Sequence, residues 1–326
     1  MIVPDYWAEA RKRRREGNRQ VTVRRFGWSN VSEADAMEMA DTRATEALAR
    51  IWAGETLALR ESKTAYNGAS GVPIREEVLS RHGEEVITRN AYGAHCLNTP
   101  DALFADVDFT RSGESRASCF MLVILAVLSL GCGLHYQGWK LALGLFFVSA
   151  MLAAPLGAFV VRAAVAVRGG RERIARQRID RFMAGHPAWS LRLYQTPAGL
   201  RLLATHQPFD PCSAEVKEFF AAVGTDPLYV RMCTNQKCFR ARLTAKPWRI
   251  GISGHMRPRP GAWPVHPERL HLREAWVAHY EKIAPNFAAC RFLESIGSGV
   301  VHERIREVIE LHDRESRALR NELRIA

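Results

Sequence analysis

The sequence lacks the short motifs by which several large classes of enzyme are recognised. It contains no GxxxxGK[ST] loop, no GxGxxG after a predicted strand, no GxSxG and no HExxH. These absences argue against a P-loop NTPase, a dinucleotide-dependent oxidoreductase, an α/β-hydrolase and a zinc metalloprotease. The opening segment, MIVPDYWAEARKRRREG, also lacks an apolar core, so we expect no cleavable signal peptide.

Lysine and cysteine are both sparse. Lysine supplies 7 of the 46 basic residues and arginine the other 39, a bias typical of GC-rich bacterial genomes, and the formal net charge is +12. A basic surface favours anionic partners such as phospholipid headgroups or nucleic acid. The seven cysteines are odd in number and irregularly spaced, so we expect no disulfide framework. Cys233 and Cys238 have no second close pair, so we expect reduced thiols rather than structural zinc.

Two long segments carry no charge, 117–139 and 141–161. Their 23 and 21 residues match the roughly 20 helical residues that cross a hydrocarbon core of about 30 Å. The alternative is a pair of buried helices in a soluble domain, but adjacent apolar runs of this length are rare there. The short connection around Lys140 requires an antiparallel pair. We therefore predict transmembrane helices at 117–139 and 141–167.

The flanks of this pair predict its packing and its orientation. Ser149, Ala153 and Gly157 recur every four residues, a spacing that permits close approach of the first helix. The basic residues outside the pair are Arg111, Arg116, Arg162, Arg168, Arg171, Arg173 and Arg176. Only one lysine lies between the helices, so the positive-inside rule places both termini in the cytoplasm. The sequence thus predicts a two-helix protein of the bacterial inner (plasma) membrane, with the lipid bilayer as a partner.

Local patterns outside the pair predict a mixture of helices and strands. Residues 1–19 are predicted as a basic N-terminal helix, either solvated or in contact with anionic lipid. Alternation predicts strands at 20–28 and 104–109 and a hairpin around the turn TPAG, 196–199. Capping residues predict helices after Ser32 and Ser213. The segments LYVRMC and KCFRARLT are predicted as short strands.

Strands and helices occur on both sides of the uncharged pair, which favours one α+β domain interrupted by a transmembrane hairpin. The first part of this cytoplasmic domain is predicted at 20–110 and the second at 171–326, with a helical C-terminus. The strand at 104–109, the TPAG hairpin and the strand in KCFRARLT are expected in one sheet. His312 and Asp313 are expected on a charged face of the last helix.

Asp106 and Asp108 stand at i and i+2 of a predicted strand, so both share one face with Phe104. Paired carboxylates on one strand can hold Mg²⁺ or Mn²⁺; the alternative is a strand with a polar outer face. Two like charges this close raise the pKa of one carboxyl unless a cation neutralises them. Arg201 or Arg242 can supply that cation internally, and we favour this arrangement over a metal.

Three segments carry a family resemblance: FADVDF at 104–109, TPAGLRLL at 196–203 and RARLTAKPWR at 240–249. In this order they resemble the archaeo-eukaryotic primase superfamily. There, a strand of the first type binds catalytic metals, a later hairpin contacts nucleotide phosphates and an arginine-containing strand follows. The resemblance implies catalytic and metal-binding roles for Asp106 and Asp108. The implied phosphate-binding residues are Arg201, Arg240, Arg242 and Lys246.

The chain departs from the family pattern at three points. Arg201 stands where the family has a histidine, no third carboxylate is evident near 246–249, and the uncharged pair separates the first two motifs. The leading interpretation is therefore a membrane-tethered module whose basic domain binds an anionic ligand, a nucleotide or nucleic acid. The first alternative is a metal-dependent nucleotidyl- or phosphoryl-transfer enzyme with Mg²⁺ or Mn²⁺. The second is a membrane-anchored scaffold for protein contacts.

Overall fold

A computed structural model describes residues 3–61, 72–109, 114–136 and 138–326. Its helices are α1 (Glu33–Trp52), α2 (Glu114–His135), α3 (Trp139–Val167), α4 (Gly170–Gly185), α5 (Ala214–Val223), α6 (Pro227–Gln236), α7 (Leu270–Ile283) and α8 (Glu303–Ser316). Its strands are β1 (Tyr6–Glu16), β2 (Arg19–Ser29), β3 (Glu77–His82), β4 (Glu85–Arg89), β5 (His95–Thr99), β6 (Phe104–Asp108), β7 (Ser190–Thr196), β8 (Gly199–Ala204), β9 (Phe239–Arg242), β10 (Phe287–Ala288), β11 (Arg291–Gly297) and β12 (Arg324–Ile325). The predicted mixture of helices and strands is confirmed.

The predicted basic N-terminal helix at 1–19 is wrong, because this segment contains β1. Every residue of β1 pairs with β2 in an antiparallel ribbon, and Trp7 and Ala10 are buried. Pairing with a neighbouring strand has overridden the helix propensity of the Arg- and Glu-rich run. Ser32 caps α1 as predicted, accepting a hydrogen bond from the backbone of Asp35 at 3.1 Å. Together β1, β2 and α1 enclose a small apolar cluster of their own.

Two four-stranded antiparallel sheets contain most of the remaining strands, and β10 and β12 form a short parallel pair. The first has the order β3-β4-β5-β9 and the second β11-β7-β8-β6. The expectation that the 104–109 strand, the TPAG hairpin and the strand in KCFRARLT share one sheet is therefore wrong in part. The hairpin is confirmed as β7–β8 and joins β6, but β9 pairs with β5 in the first sheet. Residues 228–233 also differ from the prediction, since they belong to α6, which Asp226 caps and Pro227 begins.

The main apolar core takes residues from both sides of the uncharged pair. Leu103 and Phe104 from the first part pack in the same cluster as Leu202, Phe219 and Val308 from the second. The same cluster receives residues of both sheets. The two flanks of the pair therefore share a core.

Helices α2 and α3, hereafter the apolar hairpin, pack antiparallel. The hydroxyl oxygens of Ser129 and Ser149 lie 3.0 Å apart at mid-length. The predicted packing face is confirmed, since Ser149, Ala153 and Gly157 are buried. A Cβ at Gly157 would lie 2.5 Å from the Cα of Ser118, so glycine is required for this approach.

The apolar hairpin contributes little to the core. Only 11% of the most apolar window of each helix is buried, and the outward side chains are large and apolar, as at Phe120 and Phe159. Both helices are long and apolar enough to cross a membrane. The alternative of two core helices of a soluble domain requires burial that these helices do not have.

Candidate functional site

Strand β6 is an edge strand of the second sheet, and the start of α6 covers its outer edge. The backbone N–H of Asp226 donates to the carbonyl oxygen of Asp106 at 3.0 Å. One turn later, the hydroxyl of Tyr229 lies 3.1 Å from the carbonyl oxygen of Phe104 and 2.9 Å from that of Arg240 in β9. These contacts bring the Asp226 carboxylate to the same pocket as Asp108.

Asp106 is held by a cross-strand arginine. Arg201 lies directly opposite it on β8, and Arg201 Nε and Nη2 donate to the two carboxylate oxygens at 2.8 and 3.3 Å. The third nitrogen, Nη1, donates to the carbonyl oxygen of Arg242 at 2.9 Å, which joins the two sheets. Burial opposes the charge of Arg201, but the Asp106 carboxylate outweighs it and raises the pKa of Arg201 above its ordinary value. The arginine-neutralised arrangement favoured from sequence is the one this geometry adopts for Asp106.

Arg240 is also engaged. It forms an ion pair with Glu76, and both side chains are 6% exposed. The hydroxyl of Thr88 donates to the same Glu76 carboxylate at 2.6 Å. Arg201 and Arg240 therefore stabilise the packing of the two sheets. Of the four basic residues predicted to bind phosphate, only Arg242 and Lys246 remain available to a ligand.

A pocket of about 100 Å³ opens between the two sheets, and we call it the central cleft. It contains all six residues singled out from the sequence and adds two more charged ones. The charged lining residues are Asp106, Asp108, Asp226, Arg201, Arg240, Arg242, Lys246 and Arg249. Residues more than a hundred positions apart are thus placed around one small space.

Three cations of the central cleft have no carboxylate partner. In the described part of the chain, no carboxylate lies within ion-pair distance of Arg242, Lys246 or Arg249. Among the described residues, two buried nitrogens of Arg242, Nε and Nη1, and Nη1 of Arg249 also have no hydrogen-bond partner. Buried polar groups in native proteins are nearly always satisfied, so these nitrogens are positioned to donate to a water molecule or an anion.

The charges in the cleft shift the pKa values of its residues in opposite directions. Partial burial, followed by the negative charges of Asp106 and Asp226, raises the pKa of Asp108. Burial and the adjacent positive charges of Arg242 and Arg249 lower the pKa of Lys246. Burial and Arg242 likewise lower the pKa of Arg249. An anion placed among the three cations would oppose the last two shifts.

The donor set fits a metal ion poorly. Across residues 3–61, 72–109, 114–136 and 138–326, no group of three or more His, Cys, Asp or Glu side chains is placed to hold one. Both oxygens of Asp106 already accept from Arg201, which leaves Asp108 and Asp226 as the carboxylates available. Mg²⁺ and Mn²⁺ bind through oxygen, so two carboxylates would need further oxygens from a ligand.

Two aromatic residues, Tyr92 and Trp248, lie close to the three cations of the central cleft. Tyr92 lines the central cleft, and its ring lies 5.3 Å from that of Trp248 in an edge-on arrangement. Trp248 is 57% exposed, and Lys246 Nζ lies 5.5 Å from the centre of its ring. An exposed indole beside unpaired cations is an arrangement suited to stacking a nucleobase.

Sequence reasoning missed Asp226, Arg249 and the aromatic pair. Asp226 precedes a proline, and Asp at the N-cap with Pro at N1 is a helix-start signal that would have placed it at the start of α6. The expected charged face at His312 and Asp313 is also wrong. His312 is fully buried, lies 3.4 Å from Arg201 Nη1, and is hydrogen-bonded to Asp313 at 3.0 Å. His312 therefore contacts the guanidinium of Arg201, and Asp313 fixes the position of the His312 ring.

Comparison with protein-family models, with curated proteins and with solved structures yields no match.

Proposed function

We propose that this chain is a bacterial inner-membrane protein whose cytoplasmic domain binds the phosphate group of a nucleotide in the central cleft. The observation that carries the proposal is the guanidinium of Arg242, which lines the cleft beside Lys246 and Arg249 and whose buried Nε and Nη1 have no partner in the described part of the chain. Guanidinium groups suit phosphate oxygens because their donors match the anion's geometry.

The apolar hairpin supports the membrane part of the proposal. Its two helices have mean hydropathies of 2.4 and 2.1 over their most apolar windows. Arginines flank the outer ends of the two uncharged segments, at Arg116 and from Arg162 onward, while Arg111 lies outside the described residues. The only lysine or arginine between the two uncharged segments of the sequence is Lys140. By the positive-inside rule, both flanks and the central cleft then face the cytoplasm.

The size of the central cleft limits what it encloses. A volume of about 100 Å³ is well below the roughly 300–1,000 Å³ of typical small-molecule pockets. It therefore takes one phosphate group, and the rest of the ligand lies at the mouth. Trp248 is 57% exposed and contacts Tyr92, which lines the cleft, so its ring is accessible to a base bound outside.

Binding of ATP and of pyrophosphate to the full-length protein in non-ionic detergent tests the proposal. Arg242→Gln is expected to weaken both ligands, because both carry the phosphate. Trp248→Ala is expected to weaken ATP by about 1–3 kcal/mol, the value of one stacked base, and to leave pyrophosphate unchanged. Arg306→Gln, which removes an exposed charge from α8, is the matched control.

If Arg242→Gln and Arg306→Gln weaken ligand binding equally, the effect reflects the overall charge of the protein and not a specific site. Absence of saturable binding to either ligand would leave the membrane-anchored scaffold as the remaining interpretation. Binding of pyrophosphate that is unaffected by Arg242→Gln would place the anion elsewhere.

The second candidate is metal-dependent nucleotidyl or phosphoryl transfer, as the primase resemblance implies. Asp226 favours it, because it supplies beside Asp108 the third carboxylate that the sequence does not reveal. With Asp106 held by Arg201, we expect Mn²⁺ alone to leave the melting temperature unchanged. Mn²⁺ stabilisation that appears only with ATP and is lost in Asp108→Asn would move this candidate to first place.

A further inference from the structure

A second and larger recess lies where α3 meets α4, and we call it the hairpin groove. Its volume of about 500 Å³ falls within the range of ordinary ligand sites. It is lined by the end of β6, the last turn of α3, one face of α4 and the turn between α5 and α6. The basic lining residues are Arg168, Arg171 and Arg178, and the apolar ones include Val107, Phe109, Val165, Ile174 and Pro227.

The arginines of the hairpin groove differ in how they are held. Arg171 Nη1 donates to the carbonyl oxygen of Phe109 at 2.8 Å. Arg178 lies over Gly224, where a Cβ would come within 2.4 Å of its Nη1. Among the described residues, no carboxylate lies within ion-pair distance of Arg168 or Arg178. Two exposed guanidinium groups are therefore available to a ligand.

The apolar side of the hairpin groove is formed by the end of α3 together with β6 and α4. Val165 of α3 lines it beside Val107, Phe109 and Ile174, whereas Val160 and Val167, at 48% and 89% exposure, lie on other faces of the same helix end. A ligand in the groove can therefore have one polar end among arginines and one apolar end along α3. A free phosphate would not bury the apolar side of the groove, whereas the acyl chain of a lipid would.

Two carboxylates limit the charge that the groove accepts. Asp108 and Asp226 line the hairpin groove as well as the central cleft. Against the three lining arginines, these two carboxylates leave only a small excess of positive charge. This matches a phosphodiester, which carries one negative charge, better than a phosphomonoester, which carries up to two.

We infer that the hairpin groove binds the phosphodiester headgroup of a glycerophospholipid from the cytoplasmic leaflet. Arg168 and Arg178 hold the phosphate, and an acyl chain runs along Val165. The inference rests on the membrane placement proposed above and not on the ligand of the central cleft. Because the two recesses share Asp108 and Asp226, a bound headgroup lies next to the proposed nucleotide site.

Titration of the full-length protein in non-ionic detergent with dioctanoyl phosphatidylglycerol tests the inference. Saturable binding is expected, and Arg178→Gln is expected to weaken it about tenfold through the loss of a charge-assisted hydrogen bond. Arg168→Gln should act in the same direction. Arg173→Gln is the matched control, because Arg173 is exposed on the opposite face of α4 and does not line the groove.

Glycerophosphoglycerol, the same phosphodiester without acyl chains, separates a lipid from a soluble ligand and is expected to bind far more weakly. Equal affinity for the two compounds would overturn the lipid assignment. Weakening by Arg173→Gln as large as that by Arg178→Gln, or non-saturable uptake, would overturn the site itself. ATP binding and the melting temperature, measured on the same variants, separate this outcome from a failure of the nucleotide proposal or of folding.

Discussion

Asp106 and Asp108 stand on the same face of one strand and have opposite electrostatic surroundings. Asp106 accepts two hydrogen bonds from Arg201, which is 2% exposed. Asp108 has no such partner among the described residues, and burial with two nearby carboxylates raises its pKa. The Asp106 carboxylate therefore stabilises the fold. The ionised Asp108 carboxylate destabilises it, and a bound cation would reduce that destabilisation.

We expect Asp106→Asn to lower the free energy of unfolding by about 3 kcal/mol, because it leaves the buried Arg201 guanidinium without its counter-charge. Thermal or chemical unfolding of the detergent-solubilised protein at pH 7 measures the change. Asp41→Asn is the matched control, because it removes a carboxylate whose partner Lys12 is exposed, and it should lower the free energy of unfolding by less than about 1 kcal/mol. If the Asp106→Asn variant is as stable as the wild type, the ion pair between Asp106 and Arg201 does not stabilise the fold.

Asp108→Asn is expected to act in the opposite direction. The pKa of Asp108 is raised in the folded state, so its favourable contribution is complete below the unfolded pKa and is lost as pH rises through the folded value. At pH 7 the variant should melt at a higher temperature than the wild type. At acidic pH, where the carboxyl is protonated in both states, the difference should vanish. A gain that persists unchanged at acidic pH would contradict this electrostatic origin.

At the scale of elements, the sequence predicts best where periodicity and caps agree. β6, β7 and β8 alternate, and α1 and α5 begin at serine caps that the structure confirms. β1 and α6 are misassigned for different reasons. Pairing with β2 overrides the local helix preference of β1, whereas α6 has a local start signal, Asp226 at the N-cap and Pro227 at N1, that the strand prediction did not weigh.

The packing of the apolar hairpin gives a second test at this scale. Cysteines replacing Ser129 and Ser149 should form a disulfide readily, since the two hydroxyl oxygens lie 3.0 Å apart. Gly157→Leu should reduce the yield, because a side chain there meets the backbone of Ser118, and overpacking of this kind costs about 1–3 kcal/mol. Gly144→Leu is the control, since nothing lies within 4 Å of its Cβ. Equal yields in the two leucine variants would contradict the packing face.

At the scale of the whole molecule, the apolar hairpin is an insertion whose ends lie close together. Arg171 donates to the carbonyl oxygen of Phe109 at 2.8 Å across those ends. Replacing residues 112–168 with a short Gly/Ser linker should therefore give a soluble protein with one cooperative melting transition. Size-exclusion chromatography and calorimetry measure both properties. Separate sharp transitions for the two flanks, each expressed alone, would contradict a shared domain.

Only part of the candidate site was accessible to sequence reasoning. The sequence predicts that Asp106, Asp108 and the arginine-rich segment containing Arg242 carry the functional side chains. It does not predict that they meet in one cleft, because this depends on β9 joining a different sheet from β8 and on α6 placing Asp226 at an edge strand. No local pattern encodes contacts between segments so far apart. The same limit hid the pairing that removes Arg201 and Arg240 from ligand binding.

The position of the apolar hairpin between β6 and β8 also sets an order of events during synthesis. Asp106 and Arg201 are 95 residues apart, and a ribosome adding about 5–20 residues per second needs about 5–20 s to make that stretch. During this interval the nascent β6 has no strand partner, while the apolar hairpin is being synthesised. We expect the half-made chain to depend on chaperones, and slow synthesis of this stretch to reduce the yield of folded protein.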